Sequence, residues 1–408
     1  MATGKAARAG LVDIDLWRVL AMDGGGLYGL TTALWLKQLC QGSDSFLQDR
    51  DVRLFAGTSA GALNALLLAR EKDPRSFVLR GGLENFYRQP GTFSNSNPVT
   101  ALLSLYQVTA WFGAGDFLGL LQSEFGDMTL GDLPHDVFIS SFNWTGARNA
   151  ADPAPGSAAP PGPPPGSEMW SAWAAACGIA PYPAPPNPAD VVAAQSFTGW
   201  RPKFFKNFPE HEPDRRRRVV DVAYAAATPP GYRAVLDGFG DGGTFNACPA
   251  AEVTAALIHY EKERQDRWDF DLVGDVCSRT RVLSLGVGAK IPAYWLKLFD
   301  LSSLQFSYSW TNPPQGNWWS PLTNVSLEAP TEDAVYIASQ LLGPNFHRMN
   351  PGLLDLPTSV AVILSRFPAW REWITREIEA VVQGPDSLEA VARTLVYLKD
   401  VWDVPLAA

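Results

Sequence analysis

An α/β fold on a parallel sheet is what this sequence predicts, and three observations predict it. Residues 17–22 (Trp-Arg-Val-Leu-Ala-Met) form a short apolar run, suited to a buried strand, that ends in Asp23-Gly24-Gly25-Gly26 and leads into an apolar helix-length segment at 27–39. Residues 52–56 (Val-Arg-Leu-Phe-Ala) repeat the pattern, ending in Gly57-Thr58-Ser59-Ala60-Gly61 before a segment at 62–69 that is apolar on nearly every face. Such a helix belongs inside a molecule, packed on a sheet. A third run at 137–142 supplies another strand, and strand–turn–helix repeated in series calls for parallel pairing.

Each later element follows in order. Residues 150–167 are almost wholly Ala, Pro, Gly and Ser, and 179–190 is again Pro-rich, so 150–190 is expected as an exposed, semi-rigid insertion. Inside it, Trp170 and Trp173 lie three apart and would share one face of a short helix, a candidate lipid-facing flap. Regular structure resumes at 218–227. A glycine-rich loop follows from Asp237 to Gly243, then a helix from 250 to about 263 and a strand at 281–285. From about 330 to 408 the pattern is helical. No internal repeat is present, and the expectation is a single domain over 1–408 with its core at about 17–355.

Composition narrows the function. The formal net charge of −9, with apolar residues at 46% and charged residues at 18%, suits a globular protein and argues against a nucleic-acid partner, which needs clustered cations. The basic run Arg215 to Arg218 is expected on a solvated strand edge rather than against an anionic lipid surface. Cys40, Cys177, Cys248 and Cys277 are far apart and have no metal-like spacing, so reduced thiols are expected. Residues 1–10 lack a signal-like apolar stretch, and no run of about 18 apolar residues occurs, so a soluble cytoplasmic protein is expected.

Three loops carry chemistry. Gly57-Thr58-Ser59-Ala60-Gly61 is Gly-x-Ser-x-Gly between strand and helix, the setting that exposes a serine hydroxyl on a tight turn at a helix N-terminus. Three bare glycines at Gly24, Gly25 and Gly26 let a carbonyl oxygen approach backbone N–H groups, as an oxyanion hole requires. Gly24, Gly26 and Gly29 also fit a dinucleotide fingerprint, but the second strand ends in the Ser59 turn where that fingerprint wants an acid. A serine nucleophile needs a base. None of His135, His211, His259 and His347 sits in a glycine-rich loop, whereas Asp241 does, with Asp237 as its competitor. A carboxylate is a weak base at the ordinary aspartate pKa of about 3.9, so burial would be needed to make it effective.

In this order, the motifs Asp23-Gly24-Gly25-Gly26-Leu27-Tyr28-Gly29, Gly57-Thr58-Ser59-Ala60-Gly61 and Asp241-Gly242-Gly243 resemble those of the patatin-like phospholipase family. Residues 225–230, 284–288 and 346–351 are also similar to family segments. The resemblance implies a three-layer α/β/α fold with a central, mainly parallel sheet. It implies a lipid acyl hydrolase with Ser59 as nucleophile, Asp241 as base and Gly24 to Gly26 around the oxyanion. The substrate would be a phospholipid or other acyl lipid, met at a lipid surface, with no metal or cofactor. Tyr28 departs from the family, which often carries Arg or Lys there to help hold a lipid phosphate. Two alternatives stay open: an α/β-hydrolase esterase with a Ser–Asp–His triad, and a non-catalytic lipid-binding or storage protein.

Overall fold

The computed structural model describes residues 16–48, 51–92, 114–144, 201–208, 212–229, 238–266, 269–288, 319–352, 354, 361, 364–365 and 367–405. The Pro-rich insertion, Trp170 and Trp173, Cys177, His211 and Asp237 lie outside them.

A seven-stranded sheet organises the chain. Its strands are β1 (Trp17–Met22), β2 (Leu54–Thr58), β3 (Asp136–Asn143), β4 (Arg201–Lys206), β5 (Phe239–Asp241), β6 (Thr280–Leu285) and β7 (Phe346–Met349). The spatial order is β4-β3-β2-β1-β6-β7, with β5 added to β3. From β3 to β7 along this order the pairing is parallel, and only β4 and β5 run antiparallel, both against β3.

Side chains alternate faces along each strand, as the two-residue period demands. Leu20, Met22, Phe55, Val137, Ile139, Leu283 and Leu285 join one core. Trp17, Val19, Ala21, Leu54, Ala56, Phe138 and Val282 join the other. Both faces are therefore covered, which is why these strands are continuous apolar runs in the sequence. Over the first face lie α1 (Gly29–Gly42), α2 (Ala60–Ala69), α3 (Pro74–Leu79), α4 (Gly82–Arg88), α5 (Ala114–Phe125) and α6 (Val219–Ala226). Over the second lie α7 (Ala250–Gln265), α8 (Phe270–Ser278) and α9 (Trp319–Leu342). Two C-terminal helices, α10 (Pro368–Val382) and α11 (Pro385–Tyr397), return to the first face through Ile374, Ile378, Val382 and Val391. The expected three layers are present. Among the described residues no helix is long and apolar enough to cross a membrane.

Three expectations need correction. The basic run is no strand edge: Pro213–Arg216 is a 3₁₀ turn and Arg218 precedes α6. Local contacts hold three of its arginines. Arg215 donates to Asn207 O, Arg217 pairs with Asp214 at 3.3 Å, and Arg218 donates to Gln122 Oε1 at 2.6 Å. The C-terminal region is not wholly helical, because Phe346–Met349 adds a parallel edge strand beside β6. Finally, β4 was not anticipated from the sequence; it satisfies the outer edge of β3.

The base of the sheet contains a titrating group. Asp51 is largely but not fully buried, where the chain entering β2 meets the C-terminal residues. It accepts from Trp402 Nε1 at 3.0 and 3.1 Å and from Leu47 N at 3.2 Å, with Arg18 at 3.6 Å. Burial pushes its carboxyl up to about 6, despite the opposing pull of Trp402 and Arg18. A carboxyl raised on folding contributes most below its unfolded value of about 3.9 and loses that contribution as pH rises through 6. Relative to the parent, Asp51→Asn should therefore gain about 1–3 kcal/mol between pH 4 and pH 7. Urea unfolding at the two pH values measures this, and an unchanged difference would contradict it.

Candidate active site

The Ser59 turn is tight because its two glycines leave no room for anything else. A Cβ on Gly57 would overlap the Gly61 carbonyl, and one on Gly61 would stand 2.7 Å from Asp23 O and closer still to Met22 O. The second strand–helix unit is thereby pressed against the end of β1. Ser59 itself has φ 53° and ψ −120°, a conformation that costs a non-glycine residue about 1–3 kcal/mol. It stands at the N-terminus of α2, whose first N–H groups and positive dipole end surround it. Tyr87, buried on α4, reaches across to donate to Ala60 O at 3.1 Å and so holds the turn from the helix side. Burial raises the Tyr87 hydroxyl well above the usual tyrosine range, so it stays a donor.

Asp241 reaches the same place by sheet register. β2 pairs with β3 from Asp136 to Ser140 and stops, with Thr58 beside Ser140. β4 covers the opposite edge of β3 from Phe138 to Asn143. β5 therefore takes up the edge that β2 leaves, with Asp241 beside Ser141. β2 runs upward and β5 downward, so their C-terminal ends meet head to head, one residue step (about 3.3 Å) apart along β3. Gly242 lies directly on Ser140: an added Cβ would stand 2.7 Å from its carbonyl. Asp241 is 2% exposed, and its Oδ1 accepts from Gly243 N at 2.7 Å. The register thus sets the turn after β2, which contains Ser59, and Asp241 at neighbouring positions along β3.

The glycine loop closes the third side. A Cβ on Gly24 would lie 3.0 Å from Ser59 Cβ, so the loop backbone abuts the serine. Gly24 N donates to Ala247 O at 2.9 Å, which removes one of the three expected oxyanion donors. Gly25 precedes and Gly26 begins the short 3₁₀ turn (Gly26–Tyr28) that leads into α1; Gly26 has φ 56°, a conformation that favours glycine. Tyr28 is 1% exposed and packed in the core. Position 28 is thus a core position in this chain.

What holds the loop was not recognised from sequence. Arg348 on β7 makes a bidentate pair with buried Asp23, Nη1 to Oδ1 at 2.9 Å and Nη2 to Oδ2, and also donates to Ser284 Oγ at 2.8 Å. Burial alone would lower the Arg348 pKa, but the Asp23 carboxylate beside it raises it above the usual range. Asn350 Oδ1 accepts from Gly288 N at 3.0 Å nearby. Residues 346–351 drew attention by resemblance, but nothing local in them shows that Arg348 would meet a carboxylate 325 positions away. Arg348→Leu should cost about 3–5 kcal/mol, because it leaves the Asp23 charge buried without its cation. Adding Asp23→Asn to that variant should recover part of the loss in urea unfolding; no recovery would show that the pair is not what holds the loop.

The described histidines are engaged elsewhere. His135 lies at the start of β3, the opposite end from Ser59, with its ring Nε2 at 3.1 Å from Glu71 O. His259 pairs with Glu263 at 3.2 Å on the exposed side of α7. His347 is stacked on Tyr397, with Nε2 at 3.0 Å from Thr394 Oγ1; burial, with Arg393 adding to it, lowers its pKa. Cys40, Cys248 and Cys277 are free and buried; burial pushes the Cys40 and Cys248 thiols up to about 12. No group of three metal-ligating side chains occurs among the described residues.

Residues 20–254, more than half of the chain, match the family model described as patatin-like phospholipase. This chain belongs to the patatin-like phospholipase family. A curated protein named cGAMP-activated phospholipase, from Pseudomonas aeruginosa (strain BWHPSA011 / Pa011), is 26% identical over 355 residues, which cover 83% of this chain and 80% of that protein. Family membership supports hydrolysis of lipid acyl esters, and the family match runs from within β1 through β5 and takes in all three motif loops.

Proposed function

We propose that this protein is a serine-dependent lipid acyl hydrolase of phospholipase A type, acting through Ser59 and Asp241 without a histidine. One observation carries the reading: β2 and β5 share an edge of β3 and end against each other, β2 at Thr58 just before Ser59 and β5 at Asp241.

The chemistry follows from the arrangement. Ser59 Oγ attacks the ester carbonyl carbon and passes its proton to Asp241, while the carbonyl electron pair moves onto oxygen. That oxyanion is met by the N–H groups of Gly25 and Gly26, with Gly24 giving the close backbone approach. Collapse expels the lipid alcohol, which leaves with the proton from Asp241, and the acyl group stays on Ser59. Water then attacks the acyl-enzyme, gives a proton to Asp241 and releases the fatty acid as Ser59 recovers its hydrogen. No step calls on a metal. The whole chain is proposed to act as one hydrolase domain, since α10, α11 and Trp402 share the core of the motif-bearing layer.

The relative's name states that it is activated by cGAMP. The same activation is carried over here as part of the proposal, because the similarity runs through 83% of the chain. Phosphatidylcholine vesicles incubated with the protein, with and without cGAMP, test both statements by mass spectrometry of released fatty acid. Release that rises with cGAMP is expected. Release that is indifferent to cGAMP would overturn the activation, and none under either condition would overturn the hydrolase.

A further inference from the structure

The first turn of α10 and the residue before it carry an apolar surface that nothing above uses. Phe367, Pro368, Ala369 and Trp370 are all exposed, as is Trp373 one turn on. Phe367, Trp370 and Trp373 are 45%, 48% and 40% exposed, and the two indole rings meet edge to face at 5.6 Å. Phe367 is the extended N-cap residue, Trp370 and Trp373 lie three apart in the first two turns, and Ile374, Ile378 and Val382 anchor the rest of the helix in the core. Large rings held in water by an otherwise well-anchored helix need a reason.

The helix direction gives the position of this tip. Gln38 Nε2, near the end of α1, donates to Val382 O, at the end of α10, at 3.3 Å. Ile374, Ile378 and Val382 share the core of the layer that contains α1. The chain enters this region from the C-terminal end of β7, where Leu354 N donates to Gly288 O at 3.0 Å. Glu379 pairs with Arg88, next to Tyr87, whose hydroxyl lies against Gly29 and Ala60, whereas Val382 one turn on reaches Gln38; α10 thus runs in the same sense as α1, with its first turn toward the end where the glycine loop is. From Val382 back to Trp370 is about 18 Å of helix, enough to bring the aromatic tip level with that loop.

We propose that Phe367, Trp370 and Trp373 form the element that docks this enzyme on a lipid surface, seating the mouth of the site against the bilayer. This inference rests on the reading of the protein as a lipid hydrolase, whose substrate lies in such a surface. Size argues against a second copy of the chain as occupant. Three rings at under half exposure offer about 300 Å², against about 800 Å² per partner in a stable protein interface. Indole rings favour the boundary between headgroups and hydrocarbon, where one edge is wet and the other dry. Along α10, Arg371 and Arg376 stand against Glu372 and Glu377, and Glu379 is paired with Arg88, so the charges balance. A zwitterionic surface is therefore the fitting partner, and binding should change little with salt.

Flotation of the full chain with phosphatidylcholine vesicles tests this and requires no turnover. The parent should float with the vesicles at low and high salt alike. Trp370→Gln/Trp373→Gln should lower the bound fraction by about tenfold in partition constant, while hydrolysis of a soluble p-nitrophenyl ester stays at the parent level. Trp370→Phe/Trp373→Phe keeps the bulk and should keep binding, but should lose most of the quenching of protein fluorescence by brominated phosphatidylcholine. A parent that does not float, a glutamine variant that floats unchanged, or quenching that survives the phenylalanine changes would each overturn the proposal. So would a parent dimer, seen by light scattering, that the glutamine changes dissolve. Loss of ester hydrolysis in the parent, with flotation intact, would instead count against the hydrolase reading alone.

Discussion

Ser59→Ala is expected to lower release of fatty acid from phosphatidylcholine by about a thousandfold or more, to the background of the assay. In the proposed mechanism the acyl group is carried on the serine oxygen, so its removal takes away the covalent route. Stability should hardly change. Alanine at φ 53° is strained about as much as serine, and the turn is fixed from outside by the contacts of Gly57 and Gly61. Ser59→Gly should be equally inactive yet more stable by about 1 kcal/mol, since glycine tolerates that backbone. Thermal melts beside the lipid assay check both. Activity above a tenth of the parent in a folded Ser59→Ala protein would remove the serine from the mechanism.

Asp241→Asn should be nearly as damaging, with a loss of about a hundredfold or more in turnover, because an amide cannot take the hydroxyl proton. The substitution keeps shape and can still accept from Gly243 N, so folding should survive and circular dichroism should match the parent. Single Gln substitutions of His135, His259 and His347 should leave turnover within about threefold, since each ring is engaged away from the end of β2. A histidine variant that silences the enzyme would restore the Ser–Asp–His reading, and an active Asp241→Asn protein would exclude Asp241 as base.

Local pattern carried most of the fold. Strands β1, β2, β3 and β6, and helices α1, α2 and α7, announce themselves through apolar runs bounded by glycine or by a change of period. Layer count and both cores follow from strands apolar on both faces. What stayed hidden depends on long-range pairing. β4 contains Pro202 and two lysines, which outweigh the strand preference of Phe204 and Phe205; it pairs along the open edge of β3. β7 is four residues long and gains its identity from β6. At the site, the nucleophile turn and Asp241 could be singled out by glycine spacing, but their meeting depends on β5 taking over an edge from β2, a fact of register. The Asp23–Arg348 pair and the Tyr87 contact are tertiary, and no spacing encodes them.

Labelling by a fluorophosphonate probe tests the central claim most directly, because only an activated serine beside oxyanion donors reacts. The predicted result is a single adduct, seen in the intact mass and mapped by peptide sequencing to Ser59, that forms much more slowly in Asp241→Asn and not at all in Ser59→Ala. An adduct on another serine, or a protein that hydrolyses lipid while Ser59 stays unlabelled, would contradict it.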